Sequence, residues 1–508
     1  IAHSMCVIKA AVQHVNPLQT PVIALDQPLF ALAKQIQWTL PEFSEAEFVI
    51  MLGGLHIEMA SLKMLGKWLT GSGWAEVMCH AGVATQGVAE SFLSASHVTR
   101  TRRAHQVTAA SLYILMSKAY SAYQAKSREN EQEMLSKEEW KDAMSKKSPQ
   151  FHYWSSVFNL ELLCLRLVRA LREGNFSLYI GALRQILPWM FVMDHSNYAK
   201  WLSVHYRDMC VLQSIHPSVY KYFIDGSFVV HKTTKLFSSI ALDHCHEQVN
   251  AVVKGEGGAV GLTENPAALR RWMVAGPELS RMVQEFEGEN SSTEENVTHH
   301  EQKPAVQNAF SKDVLNTESS FEELGNPFLE EGENLMAIHT KDIMDDAVVR
   351  TVRNARKIGE EQFSLFIKER FIDRSKPLTY PLKKNNLPLL STPNKKIVSK
   401  DKAKVEVLKE DCSLFSRLYI ACQIRDGNLE DFFKYENQPW PPSLSQLGQL
   451  RGGQKADLLK CLPSTSTQIA PQPVVDAVII DGAVIVQMLQ PKTVRTFDEY
   501  FKIGRAHV

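Results

Sequence analysis

None of the eight cysteines stands in a CxxC pair, so neither a zinc ribbon nor a disulfide framework is legible in this chain. Cys6, Cys79, Cys164, Cys210, Cys245, Cys412, Cys422 and Cys461 read mostly as reduced core thiols of an intracellular protein. Long apolar runs are also missing. The most apolar stretches, 48–55 and 474–486, fall short of the roughly 18 uncharged apolar residues that a membrane-crossing helix needs. Net charge is absent too, with 56 basic side chains against 56 acidic ones. A zero total gives no global argument for nucleic acid, but it averages over segments of opposite sign. What is present is apolar bulk: 44% of the 508 residues are hydrophobic, ample for at least one large core and too many for a globally disordered chain.

The chain opens at Ile1 without an initiator Met or a signal-peptide pattern. It closes on Ile503 to Val508 (IGRAHV), which resembles a translated sequencing adapter, so a fragment of a longer protein is expected. Within it, 1–56 alternate strand and helix signals. Val22 to Leu25 is a short β-rich run, Pro28 opens a periodic stretch (Leu29, Phe30, Leu32, Ile36), and Phe48 to Leu52 is a second buried strand. That order predicts a parallel sheet with helical crossovers. From 57 to 222 apolar residues recur at three- and four-residue spacing, predicting an all-helical block. Residues 223–284 return to mixed character, with a strand near Phe228 to Val230 and a helix over Ser238 to Val253 that stops at Gly255, Gly257 and Gly258.

Between Glu285 and Asp346 stand sixteen acidic residues and three lysines, a composition expected to form a linker over 285–346. The sign then reverses: Lys383, Lys384, Lys395, Lys396, Lys400, Lys402 and Lys404 mark 347–473 as basic and partly disordered, with short helices. A further unit is expected to open over 474–502, where Val475 to Ile480 reads as a buried strand ending at Asp481-Gly482.

Several side chains are placed for chemistry. Asp26 follows the first strand, where an α/β sheet presents polar groups; it suits a metal ligand and equally an N-cap before Gln27-Pro28. His56 closes the second strand in Leu52-Gly53-Gly54-Leu55-His56. Asp243 and Glu247 lie four apart on one helix face, as a cation site or a plain polar face. Asp194 reads as a further metal carboxylate or an N-cap. Arg100, Arg102 and Arg103, with His105 and Gln106, form a basic cluster suited to phosphate or to a solvated helix start, and Arg270 and Arg271 beside Trp272 invite the same pair of readings. Gly255-Glu256-Gly257-Gly258 lacks phosphate-loop spacing.

The order of these features resembles RNase H-like transposases carrying two Asp and one Glu, in the hAT-like and Mutator-like branch with a helical insertion. The resemblance makes Asp26 the second catalytic Asp, His56 the motif His, 57–222 the insertion and Glu247 the last Glu, with Asp194 a further candidate and Asp243 supporting. Gly53 stands where that motif usually has Cys or Asp. The 25 residues before Asp26 hold no Asp or Glu, so the first catalytic Asp lies upstream of Ile1 or the site lacks it. The segments at 26–29, 53–59 and 257–266 also look like those of transposon-derived animal proteins, and 475–486 looks like the opening strand of a PIN or flap-endonuclease-type domain with Asp481.

The implied fold is α/β: an RNase H-like core interrupted by a large all-α insertion, then a disordered linker and a truncated α/β segment. The implied activity is cleavage and strand transfer of DNA phosphodiesters with Mg²⁺ or Mn²⁺ held by Asp26 and Glu247. Arg100, Arg102, Arg103, Arg270 and Arg271 would contact DNA. Homo-oligomerisation and nuclear location, with Lys383/Lys384 and Lys395/Lys396 as import signal, accompany that reading, with no membrane partner. Two alternatives are an inactive DNA-binding or protein-interaction scaffold and the N-terminal part of a PIN-like nuclease.

Overall fold

The β-branched run after Pro21 does make a strand, and so does the second apolar run. β1 (Val22–Leu25) and β2 (Val49–Leu52) pair in parallel, in register from Val22 with Val49 to Leu25 with Leu52. α1 (Ala2–Val15) precedes the pair and α2 (Gln27–Thr39) crosses between its strands. β2 is buried throughout while β1 is only partly covered. The computed structural model describes residues 1–131, 133–233, 236–254, 300–329 and 332–391, together with Arg270 and the pairs 445–446 and 449–450. The chain forms two units, Ile1–Gly427 and Asn428–Val508; in the second, the described residues are the two-residue antiparallel strands Ser445–Gln446 and Gln449–Leu450.

The first unit is mostly helical, and this corrects the expected α/β RNase H-like core. Besides β1 and β2, its strands among the described residues are β3 (Val230–His231) and β4 (Ser239–Ile240), two residues each and antiparallel. Two parallel strands four residues long cannot bury a domain, so helices carry the core. α3 (Gly54–Leu69) is buried on nearly every side, which its near-continuous apolar sequence requires. Around it lie α4 (Trp74–His80), α5 (Gln86–Leu93), α6 (Val98–Glu129), α7 (Lys137–Lys147), α8 (Pro149–Glu173), α9 (Phe176–Val192), α10 (Ser196–Ile215) and α11 (Pro217–Ile224). Trp68 of α3 stacks on Tyr153 at 5.6 Å and meets Trp189 edge-on at 5.5 Å, joining α3, α8 and α9. Gly66 is fixed by packing, because a Cβ there would overlap the Leu93 carbonyl of α5.

The acidic stretch is not a linker where it is described. α13 (Pro304–Leu324) lies along α6. Val314 and Phe321, seven residues apart and so on one face, are buried, with Phe321 edge-on to Trp154 at 5.1 Å. The acids face partners instead: Glu318 and Glu322 bind Lys118, and Asp313 binds Arg103. Composition misled because net charge does not show on which helical face the charges fall. The following region is described as far as residue 391 and there is packed on the helical core. α14 (Asp346–Ile367) packs on α9, where Gly359 sits against the Pro188 carbonyl and Phe366 against Phe191. A π-helical turn (Lys368–Ile372) follows, and the chain then runs as an extended strap that buries Leu389 and Leu390. α12 (Leu242–Lys254) begins after β4, so Ser239 and Ile240 are strand rather than the expected helix start. The segment expected to open a PIN-like domain at 474–502, with Asp481, the adapter-like 503–508, and Arg271 and Trp272 lie outside the described residues.

Candidate functional site

Three segments meet at the carboxyl ends of β1 and β2. Asp26 follows β1 and caps α2: its Oδ1 accepts the Leu29 N–H at 3.0 Å, and Gln27-Pro28 supply the first helical turn. Gly53 follows β2 and is the N-cap of α3, but it has no side chain with which to cap. Asp243 of α12 supplies the cap from outside the helix. Its Oδ1 accepts the Leu55 N–H at 3.0 Å and its Oδ2 the His56 N–H at 3.1 Å, while His56 Nδ1 lies 2.9 Å from Oδ2. Gly53 is therefore obligatory, since a Cβ there would overlap the Asp243 carboxylate. His56 does not close the strand as expected; it sits in the first turn of α3.

The electrostatics follow from this cage. Burial works to raise the Asp243 pKa, but the bonds from the His56 ring and from the Leu55 and His56 amides hold it below the usual carboxylate value. His56 is pushed up, first by its bond to Asp243 against the opposing effect of burial, and then by the fields of Asp243, Asp26 and Glu247. Asp26 and Glu247, 221 positions apart, thus both act through their charge on one imidazole. Tyr198 of α10 is pushed up to about 12 by burial and by the nearby charges of Asp26 and Asp243. Sequence reasoning missed Tyr198; a tyrosine on a helix 172 positions after Asp26 carries no local signal.

These groups share a neighbourhood but not a coordination geometry. Among the described residues no three His, Cys, Asp or Glu side chains are disposed to hold a metal ion. One oxygen of Asp26 and both of Asp243 are committed to hydrogen bonds. The side chains present do not fit the two-ion centre that the transposase resemblance implies. Asp194 stands elsewhere and neither caps α10, whose N-cap is His195, nor joins the acidic group. Held at φ +60°, it accepts the Asn385 N–H at 2.7 Å and the Asn386 N–H at 2.9 Å and so pins the strap.

On the other side of α12, where His244 and Gln248 point, a cleft of about 2240 Å³ opens between α6, α7, α8, the β3–β4 loop and α13. Eight Arg and Lys side chains line it against Glu138, Glu301 and Asp313. Arg100 is exposed. Arg103 holds Asp313 at 2.9 Å and lies over the Phe310 ring. Arg102 is corrected as a DNA contact: its Nε and Nη2 grip the buried Glu58 at 2.7 and 2.9 Å, an ion pair that ties α6 to α3. His105 is fully buried against Glu161 and stacks on Trp74, so it belongs to the core and not to the cluster's surface. Sequence reading missed Lys137, Lys141, Arg172, Lys232 and Lys303. Lys137 and Lys141 were detectable as an i, i+4 pair on one helix face, whereas the others join only through the fold. Arg270 is exposed and does not line the cleft.

No helix among the described residues is long and apolar enough to cross a membrane. None of the five described cysteines is in a disulfide, and of these only Cys164 is buried, which corrects their reading as mostly core thiols.

A family model described as a domain of unknown function (DUF8702) matches residues 1–436, and the chain belongs to that family. No curated protein and no solved structure matches it.

Proposed function

We propose that this protein is a DNA-binding scaffold that holds the phosphate backbone in the cleft between α6, α7, α8 and α13. The observation that carries the reading is the charge of that cleft: eight cations against three acids, positive even after Arg102 is discounted for its pairing with Glu58. Clustered Arg and Lys attract a polyanion at long range, and phosphate contacts supply most of the sequence-independent affinity. Arg100 and Lys303 have no acidic partner among the described residues and are the first contacts expected. The resemblance to transposon-derived proteins agrees with a DNA partner and a nuclear location, and the charge of the cleft stands without it.

Cleavage of the phosphodiester is the second reading, favoured by the charges of Asp26 and Glu247, which both act on the His56 imidazole. Against it, the donor set does not fit a two-ion centre. The experiment is a plasmid assay with Mg²⁺ or Mn²⁺, read both as binding and as nicking. The scaffold reading expects binding that survives chelation and no nicking. Nicking abolished by Asp26→Asn and Glu247→Gln would establish the second reading, and the absence of binding would overturn both.

A further inference from the structure

Every wall of the cleft carries a cation set against an aromatic ring. Lys137 Nζ lies 4.7 Å from the Tyr113 centroid, Lys141 5.8 Å from Phe158, Arg103 4.9 Å from Phe310 and Arg172 5.2 Å from Phe237. These pairs come from separate elements: α7 against α6, α7 against α8, α6 against α13, and α8 against the loop between β3 and β4. Burial lowers the pKa of both Lys141 and Arg172, so these cations gain from an added counter-anion. Tyr113 is 55% exposed even with Lys137 over one face of its ring, whereas Phe158 is buried.

A duplex shows phosphates on its outside and keeps its base faces stacked inside, so it answers the cations and leaves the rings unused. A single strand answers both at once, its phosphates on the cations and its bases on the rings. Resting on the DNA-binding reading above, we infer that the cleft is built for single-stranded DNA, with Tyr113 a base-stacking platform and Lys137 its phosphate partner. Sequence preference is expected to be weak, because every base has a face to stack.

The test compares a labelled oligothymidylate of about twelve nucleotides with a duplex of the same length, by fluorescence anisotropy on the full chain. The inference expects the single strand to bind at least about tenfold more tightly. Tyr113→Leu should weaken it about tenfold while leaving duplex binding unchanged, and Tyr113→Phe should restore it. Because Tyr113 is mostly exposed, these variants should fold, which circular dichroism checks. Equal affinity for both probes, or a Tyr113→Leu variant that binds the single strand normally, would overturn the inference and leave the DNA-binding reading standing. Absence of binding to either probe would remove both.

Discussion

Replacing Asp243 by Ala removes a carboxylate that does three jobs from one helix: it caps the Leu55 and His56 amides of α3 and pairs with the His56 ring. A hydrogen bond to a charged acceptor contributes about 1.5–3 kcal/mol, and one left unmade in a buried place costs a similar amount. The three bonds share two oxygens and His56 is 30% exposed, so water takes over part of the loss. The expected cost is about 3 kcal/mol for Asp243→Ala and about half that for Asp243→Asn, which keeps an acceptor. The pH profile is specific. The Asp243 pKa is depressed, so its contribution is present above the ordinary value of 3.8 and lost as pH falls through the folded value. The His56 pKa is raised, so its contribution is complete below 6.5 and lost as pH rises through the folded value. Denaturant melts across pH should therefore show the gap between wild type and Asp243→Ala at its widest between about 4 and 6.5. It should shrink toward acid to about the part that a neutral acceptor keeps, and narrow only partly toward alkali, where the backbone caps persist. A variant within about 0.5 kcal/mol of wild type, or a gap flat with pH, would refute the reasoning.

Three other outcomes follow from the geometry. Asp194→Ala should free the Asn385 and Asn386 amides and expose the 375–391 strap to limited proteolysis, with the helical core intact by circular dichroism; unchanged cleavage kinetics would show that Asp194 does not pin it. Gly66→Ala should destabilise by several kcal/mol, about 2–4 in a chemical melt, because the methyl group meets the Leu93 backbone and not a movable side chain. Glu58→Gln should cost about 3 kcal/mol by leaving the buried Arg102 guanidinium without its counter-charge, while altering DNA affinity little; a neutral substitution would show that the pair does not tie α6 to α3.

Local signals were legible where one segment decides the outcome. The run at 22–25, the cap at Asp26 before Pro28, the parallel pairing with 49–52 and the long helical tract were all readable from short-range pattern. The fold class was not, because two correct strands were extrapolated to a whole sheet that the remaining residues do not build. The acidic tract was misread because charge counts ignore the buried stripe of Val314 and Phe321. At the candidate site, Asp26, His56, Asp243 and Glu247 were identifiable individually, and the structure brings them to one neighbourhood. Their roles differed from expectation, since Gly53 without a side chain makes Asp243 a helix cap, a relation spanning almost 190 positions that no local spacing reveals. The basic cleft was less legible still: of the three clustered arginines, Arg102 turns inward, and the lysines that complete the lining come from distant elements.

The most direct test of the central claim is the salt dependence of binding to single-stranded DNA, comparing the wild type with Arg100→Glu. With a surplus of four positive charges in the cleft once Arg102 is set against Glu58, log K should fall linearly with log salt concentration at a slope of about −2.8, and the Arg100→Glu slope should be shallower by about 1. A slope near zero, or one that Arg100→Glu leaves unchanged, would contradict the assignment of this cleft to the phosphate backbone.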